Sequence, residues 1–193
     1  METIKIKRKE FVVESILSNN SYKCSFKDKL YFVKHYDMLK TREADTFNCC
    51  KQLSKSCVVT PKVYIFDKKQ GYIVSEFIDG QLMSDYILKH DFSDDIYSQI
   101  FRNSFMARVI RKTLNYDLDK WMIFNGTLYY VSDYCEPYSQ ESDFTKTSLR
   151  NWFLSKELMQ YYEKNGVLFD KTRIKDEYTI NKESVLMTCK YYQ

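Results

Sequence analysis

Several side chains in this sequence stand where charge could act on a phosphate. Lys34 closes the apolar run Tyr31-Phe32-Val33, and Glu43, with Asp45 as a rival, follows in a stretch of helical periodicity. Asp133 closes a second apolar run, Tyr130-Val131-Ser132, and upstream of it lies the polar segment Asn115-Tyr116-Asp117-Leu118-Asp119-Lys120. Phosphoryl transfer requires this inventory: cations that hold phosphates, acidic ligands for magnesium, and a group that positions the attacking oxygen. Taken singly, each residue reads as a solvated charge or a turn residue. Their order along the chain is what suggests chemistry.

Other chemistries find less support. The two histidines, His35 and His90, form no Ser-His-Asp or Cys-His pattern. The six cysteines, Cys24, Cys49, Cys50, Cys57, Cys135 and Cys189, contain no CxxC pair and no zinc-ligand spacing. The first residues, METIKIKRKEF, lack an apolar signal core, and no run of 18 apolar residues occurs. The expectation is a cytoplasmic protein with reduced thiols and no membrane span.

The elements that must position these side chains follow from pattern. Phe11-Val13, Tyr22-Phe26 and Leu30-Lys34 read as three strands broken by polar turns, and Met38 to Ser54 reads as a helix. Val63-Phe66 and Tyr72-Phe77 form a hairpin across Asp67-Gly71. Helical stretches are expected over Leu82-Leu88 and Asp94-Leu114, then a hairpin with Asn125-Gly126 at its turn, then helices over Thr147-Asn165 and Asn181-Tyr192. At 193 residues and 44% hydrophobic, the chain can bury one core or two small lobes. A net charge of +4 gives a mixed surface that does not call for nucleic acid.

This order, with its residues, resembles the protein kinases, and among them the minimal atypical ones: RIO-like kinases, the small kinase of the tRNA-modification complex, and lipopolysaccharide-core sugar kinases. The likeness covers about residues 10 to 136. It implies an α+β, two-lobed fold in a single domain spanning 1–193. The N-lobe, about 1–78, would hold a five-stranded antiparallel sheet plus one helix, and the C-lobe, about 79–193, would be short and mainly helical. Tyr31-Phe32-Val33-Lys34 resembles the V-A-I-K signature, which implies that Lys34 contacts ATP phosphates with Glu43 orienting it. Glu76, Phe77 and Ile78 resemble a hinge bordering adenine, chiefly through backbone groups. Tyr130-Val131-Ser132-Asp133-Tyr134 is similar to the strand before Asp-Phe-Gly, which makes Asp133 the Mg2+ ligand.

Departures are as specific as the matches. With Asp117 as catalytic carboxylate, Met122 falls where a metal-binding Asn is expected; with Asn115 there instead, Lys120 takes that place and Asp119 or Asp117 must stand in. The turn between the first two strands, Ser18-Asn19-Asn20-Ser21, has no glycine. Two functions therefore stay open, an ATP-dependent transfer to a protein or small-molecule hydroxyl and a pseudokinase that binds nucleotide or a partner. A basic-aromatic nucleic-acid-binding domain is a third. Arg108, Arg111 and Lys112 could favour an acidic acceptor, and the segment 146–169 could dock a protein partner through the C-terminal helices.

Overall fold

The computed structural model describes residues 2–192, which divide into two compact units: 2–56 with 60–79, and 57–59 with 80–192. The fold is mixed α+β. Among the described residues no helix is long and apolar enough to cross a membrane.

The first unit is an antiparallel sheet with one helix. Its strands are β1 (Thr3–Ile6), β2 (Lys9–Ser18), β3 (Ser21–Phe26), β4 (Lys29–His35), β5 (Val63–Asp67) and β6 (Tyr72–Glu76), in the order β1-β2-β3-β4-β6-β5. The sheet thus has six strands and not the expected five. The extra one, β1, alternates Ile with Lys and turns into β2 at Lys7, which takes a left-handed φ of 55° without being a glycine. Ile6, Phe11, Cys24, Val33, Ile65 and Val74 bury one face together. The opposite face receives α1 (Thr41–Leu53), whose Phe47 packs with Tyr36 and Ile73. Cys24 is a thiol, and burial pushes it up to about 11. Cys49 in α1 is oxidised in a disulfide, which corrects the reduced-thiol expectation at that position.

Gly71 fixes the β5–β6 hairpin. Its φ is +72°, its carbonyl accepts the Tyr36 N–H at 2.8 Å, and a Cβ there would lie 2.1 Å from the Tyr36 carbonyl oxygen. Gly71→Ala should therefore destabilise the first unit by about 2 kcal/mol or more, combining left-handed strain with a backbone clash. A urea midpoint unchanged from wild type would refute this.

The second unit surrounds an aromatic core. Its elements are β7 (Gln81–Leu82), α2 (Met83–Tyr86), α3 (Asp94–Val109), β8 (Lys112–Leu114), β9 (Trp121–Phe124), β10 (Thr127–Tyr130), β11 (Cys135–Pro137), α4 (Phe144–Thr147), α5 (Lys156–Lys164) and α6 (Glu177–Tyr191). Strand order is β10-β9-β7, with a separate β11-β8 ladder. The expected helix to Leu114 stops earlier, because Arg111 adopts φ 57° and turns the chain into β8. Asn125 and Gly126 both take positive φ at the β9–β10 turn, as their pairing predicts. Side-chain caps at Ser93, Ser155 and Asp176 start α3, α5 and α6. Cys57–Val59 belongs here because Val59 donates to Asn103 Oδ1 at 2.7 Å and accepts from the Tyr130 N–H at 2.8 Å. Cys57 and Cys189 are thiols, and Cys135 is oxidised in a disulfide.

Candidate functional site

Strand register places Lys34. It sits opposite Ser21 of β3 and Ile73 of β6, so it shares the α1 face of the sheet, while Val33 points into the opposite core. Its ammonium lies 5.2 Å from the centre of the Tyr36 ring. Lys23 is on the same face, opposite Phe32, with its ammonium 4.6 Å from the Phe77 ring. Two lysines and the hydroxyl residues Ser21 and Ser75 thus line that side of the sheet, with alternation along β3, β4 and β6 doing the sorting.

The glycine-free turn is pinned beside Lys34. Asn20 donates its side-chain amide to the His35 carbonyl at 3.0 Å and accepts the His35 N–H on its own carbonyl at 2.9 Å. That amide is committed to backbone. Glu43 accepts the Asp37 N–H at 2.6 Å and pairs with Lys40 at 3.4 Å; the Asp37 N–H, chiefly, holds its carboxyl below the usual range. At the hinge-like segment, the Glu76 N–H is bonded to the Lys62 carbonyl at 2.8 Å. Phe77 carries the Lys23 cation, and Ile78 is buried.

In the second unit, the β8–β11 ladder sets Leu114 opposite Cys135, so the segments that follow β8 and precede β11 start side by side. Tyr130 joins them. Its hydroxyl accepts the Asn115 N–H at 3.0 Å and donates to the Tyr134 carbonyl at 2.5 Å. Burial pushes this phenol up to about 12, and the Asp133 and Asp117 carboxylates both add to the rise. The hydroxyl thus joins the two segments that carry Asp117 and Asp133. Trp121 completes the frame by donating to the Asn115 carbonyl at 3.0 Å, and Val131 donates to the Lys120 carbonyl at 2.9 Å.

Within the 115–120 turn the carboxylates differ. Asn115 Oδ1 accepts the Asp117 N–H at 2.8 Å, an Asx turn that makes Asn115 a scaffold. Asp119 is paired with Lys120 at 2.5 Å. Asp117 is exposed, and its side chain makes no hydrogen bond or ion pair among the described residues. Tyr130 was not singled out from sequence; strand alternation in Thr127–Tyr130 marks it as inward-facing, but nothing local shows that its hydroxyl serves two segments.

No protein-family model matches the chain, and no curated protein matches it.

Proposed function

We propose that the chain is a small, atypical kinase-like phosphotransferase that uses Mg2+ and ATP. The reading includes the kinase-like two-lobed fold, with Lys34 on the phosphates and Asp133 on the metal. The observation that carries it is the Tyr130 hydroxyl, which ties the turn that carries Asp117 to the segment that carries Asp133 by accepting the Asn115 N–H and donating to the Tyr134 carbonyl, beside the β8–β11 ladder. A strand, a carboxylate turn, a hairpin and a second carboxylate follow in the order that the resemblance to kinases leads one to expect of a catalytic segment, which supports the reading. The exposure and unpaired state of Asp117 favour it over Asn115 and Asp119 as the group orienting the acceptor hydroxyl.

The metal requirement fits the residues present. Mg2+ keeps several waters and takes one or two carboxylates together with substrate phosphates, so Asp133 with a nucleotide suffices. No cluster of three acidic, His or Cys ligands is present among the described residues, and this chemistry needs none. When bound, the ion would neutralise phosphate charge. Lys34 would bind phosphate oxygens from the face it shares with Lys23, and Asp117 would accept the proton of the attacking hydroxyl. Met122 at the expected Asn ligand position is the feature that favours the alternative, a pseudokinase that binds ATP without turnover.

A thermal-shift titration with ATP, with and without Mg2+, tests the reading. Stabilisation should grow with ATP as mass action requires, reaching about 2.7 kcal/mol at a hundredfold excess over Kd, and should depend on Mg2+. No shift in either condition would remove both kinase-like forms. A shift without release of phosphate or autophosphorylation would leave the pseudokinase.

A further inference from the structure

Away from these carboxylates, α3 and the end of α6 line an open cavity of about 240 Å³. Phe101, Tyr191 and Tyr192 supply ring surface, and Phe105 stands at its side. Arg108 is held between two rings: its guanidinium carbon lies over the Phe105 ring at 5.3 Å and over the Tyr192 ring at 4.9 Å. Its Nη1 donates to the Tyr192 hydroxyl at 2.5 Å and sits 3.9 Å from Asp143 Oδ2. No other nitrogen of Arg108 is hydrogen-bonded among the described residues. Arg102, six residues earlier on α3, lines the same cavity, is exposed, and makes no ion pair among the described residues.

Charge counting narrows the ligand. Two guanidinium groups line the cavity, and the carboxylate beside one of them, Asp143 near Arg108, is 4% exposed and is also bonded by the hydroxyls of Tyr138 and Tyr192 and by Thr145. Lys190, next to Tyr191 in sequence, is neutralised by Asp94 at 2.6 Å. One positive charge remains. It suits a monoanion, and a guanidinium fork suits the two oxygens of a carboxylate. A volume below the about 300–1,000 Å³ typical of sites for drug-sized ligands leaves room for one ring and its acid group.

We propose that this cavity binds a carboxylate carried on a flat ring, the ring lying against Phe101, Tyr191 and Tyr192 and the carboxylate between Arg102 and Arg108. The ligand is either a free small acid or the C-terminal carboxylate of a chain ending in an aromatic residue. The site does not depend on nucleotide binding and stands or falls separately from the kinase-like reading.

The test is an amide chemical-shift titration of the full chain with 3-phenylpropionate. Saturable shifts should map to α3 and the end of α6, with a Kd on the order of 1 mM. The neutral 3-phenylpropanamide should not bind, and phenyl phosphate should bind more weakly than the carboxylate. Arg102→Ala, at an exposed residue with no ion pair among the described residues, should weaken binding at least about tenfold. Arg108→Lys, which keeps the charge beside Asp143 but removes the fork, should weaken it similarly. A peptide ending in Phe that binds tighter than 3-phenylpropionate assigns the chain-terminal form, and a weaker one the free acid. Absence of shifts at α3 and α6, equal binding of the amide, tighter binding of the phosphate, or an Arg102→Ala protein that binds as wild type would each overturn the proposal.

Discussion

Trp121→Ala should cost the second unit about 3–5 kcal/mol, a large part of what a domain of this size has. Trp121 is fully buried at the start of β9. Its ring stacks parallel to Tyr116, lies 4.9 Å from Tyr130, and meets Trp152 edge-on at 5.8 Å. Truncation removes the common neighbour of three large aromatics, which cannot close the space together. It also leaves the Asn115 carbonyl without its 3.0 Å donor, a further penalty for a half-buried acceptor. Trp121→Phe separates the two effects: it keeps most of the packing and should cost about 1–3 kcal/mol, chiefly from the orphaned carbonyl. Urea unfolding followed by circular dichroism reads both. A loss under about 1 kcal/mol for the alanine variant would show that the aromatic cluster is not one cooperative core.

The second large effect is on chemistry. If the chain turns over ATP, Asp133→Asn should lower the rate by roughly a thousandfold or more, since metal charge at the phosphates is worth several kcal/mol in the transition state. The amide keeps the size of the side chain, so folding should be close to wild type, and a matched thermal melt without nucleotide checks this. Asp117→Asn discriminates the register. Its loss of turnover should be large as well, because general-base assistance contributes about 100- to 10,000-fold. Asp119→Asn should change the rate little, since that carboxylate is already paired with Lys120. Turnover that survives Asp117→Asn but not Asp119→Asn would place the acceptor carboxylate two residues later than proposed.

Much of the sheet was legible because its signals are local. The alternation in Leu30–Lys34 and the Asn125–Gly126 turn determine strand and hairpin within a few residues. What escaped depends on distant partners or on backbone that no residue type advertises. The three-residue strands β8 and β11 exist only through their register with one another, 20 residues apart. Lys7 and Arg111 take left-handed conformations usually marked by glycine, so β1 and the early end of α3 were hidden. The site divides in the same way. The face that Lys34 shares follows from alternation. The Tyr130 hydroxyl joining two segments does not, since the same phenol would read equally well as core. The Arg108–Asp143–Tyr192 cluster joins residues up to 84 positions apart, beyond any local pattern.

Calorimetric titration of ATP into the full chain, with Mg2+ present, tests the central claim most directly when wild type is compared with Lys34→Ala and Asp133→Asn. Lys34 and Asp133 acting on one nucleotide predicts saturable, Mg2+-dependent binding that each substitution weakens by about tenfold or more, as loss of a charge-assisted contact requires. No binding by the wild type, or binding that both variants retain at wild-type affinity, would contradict it.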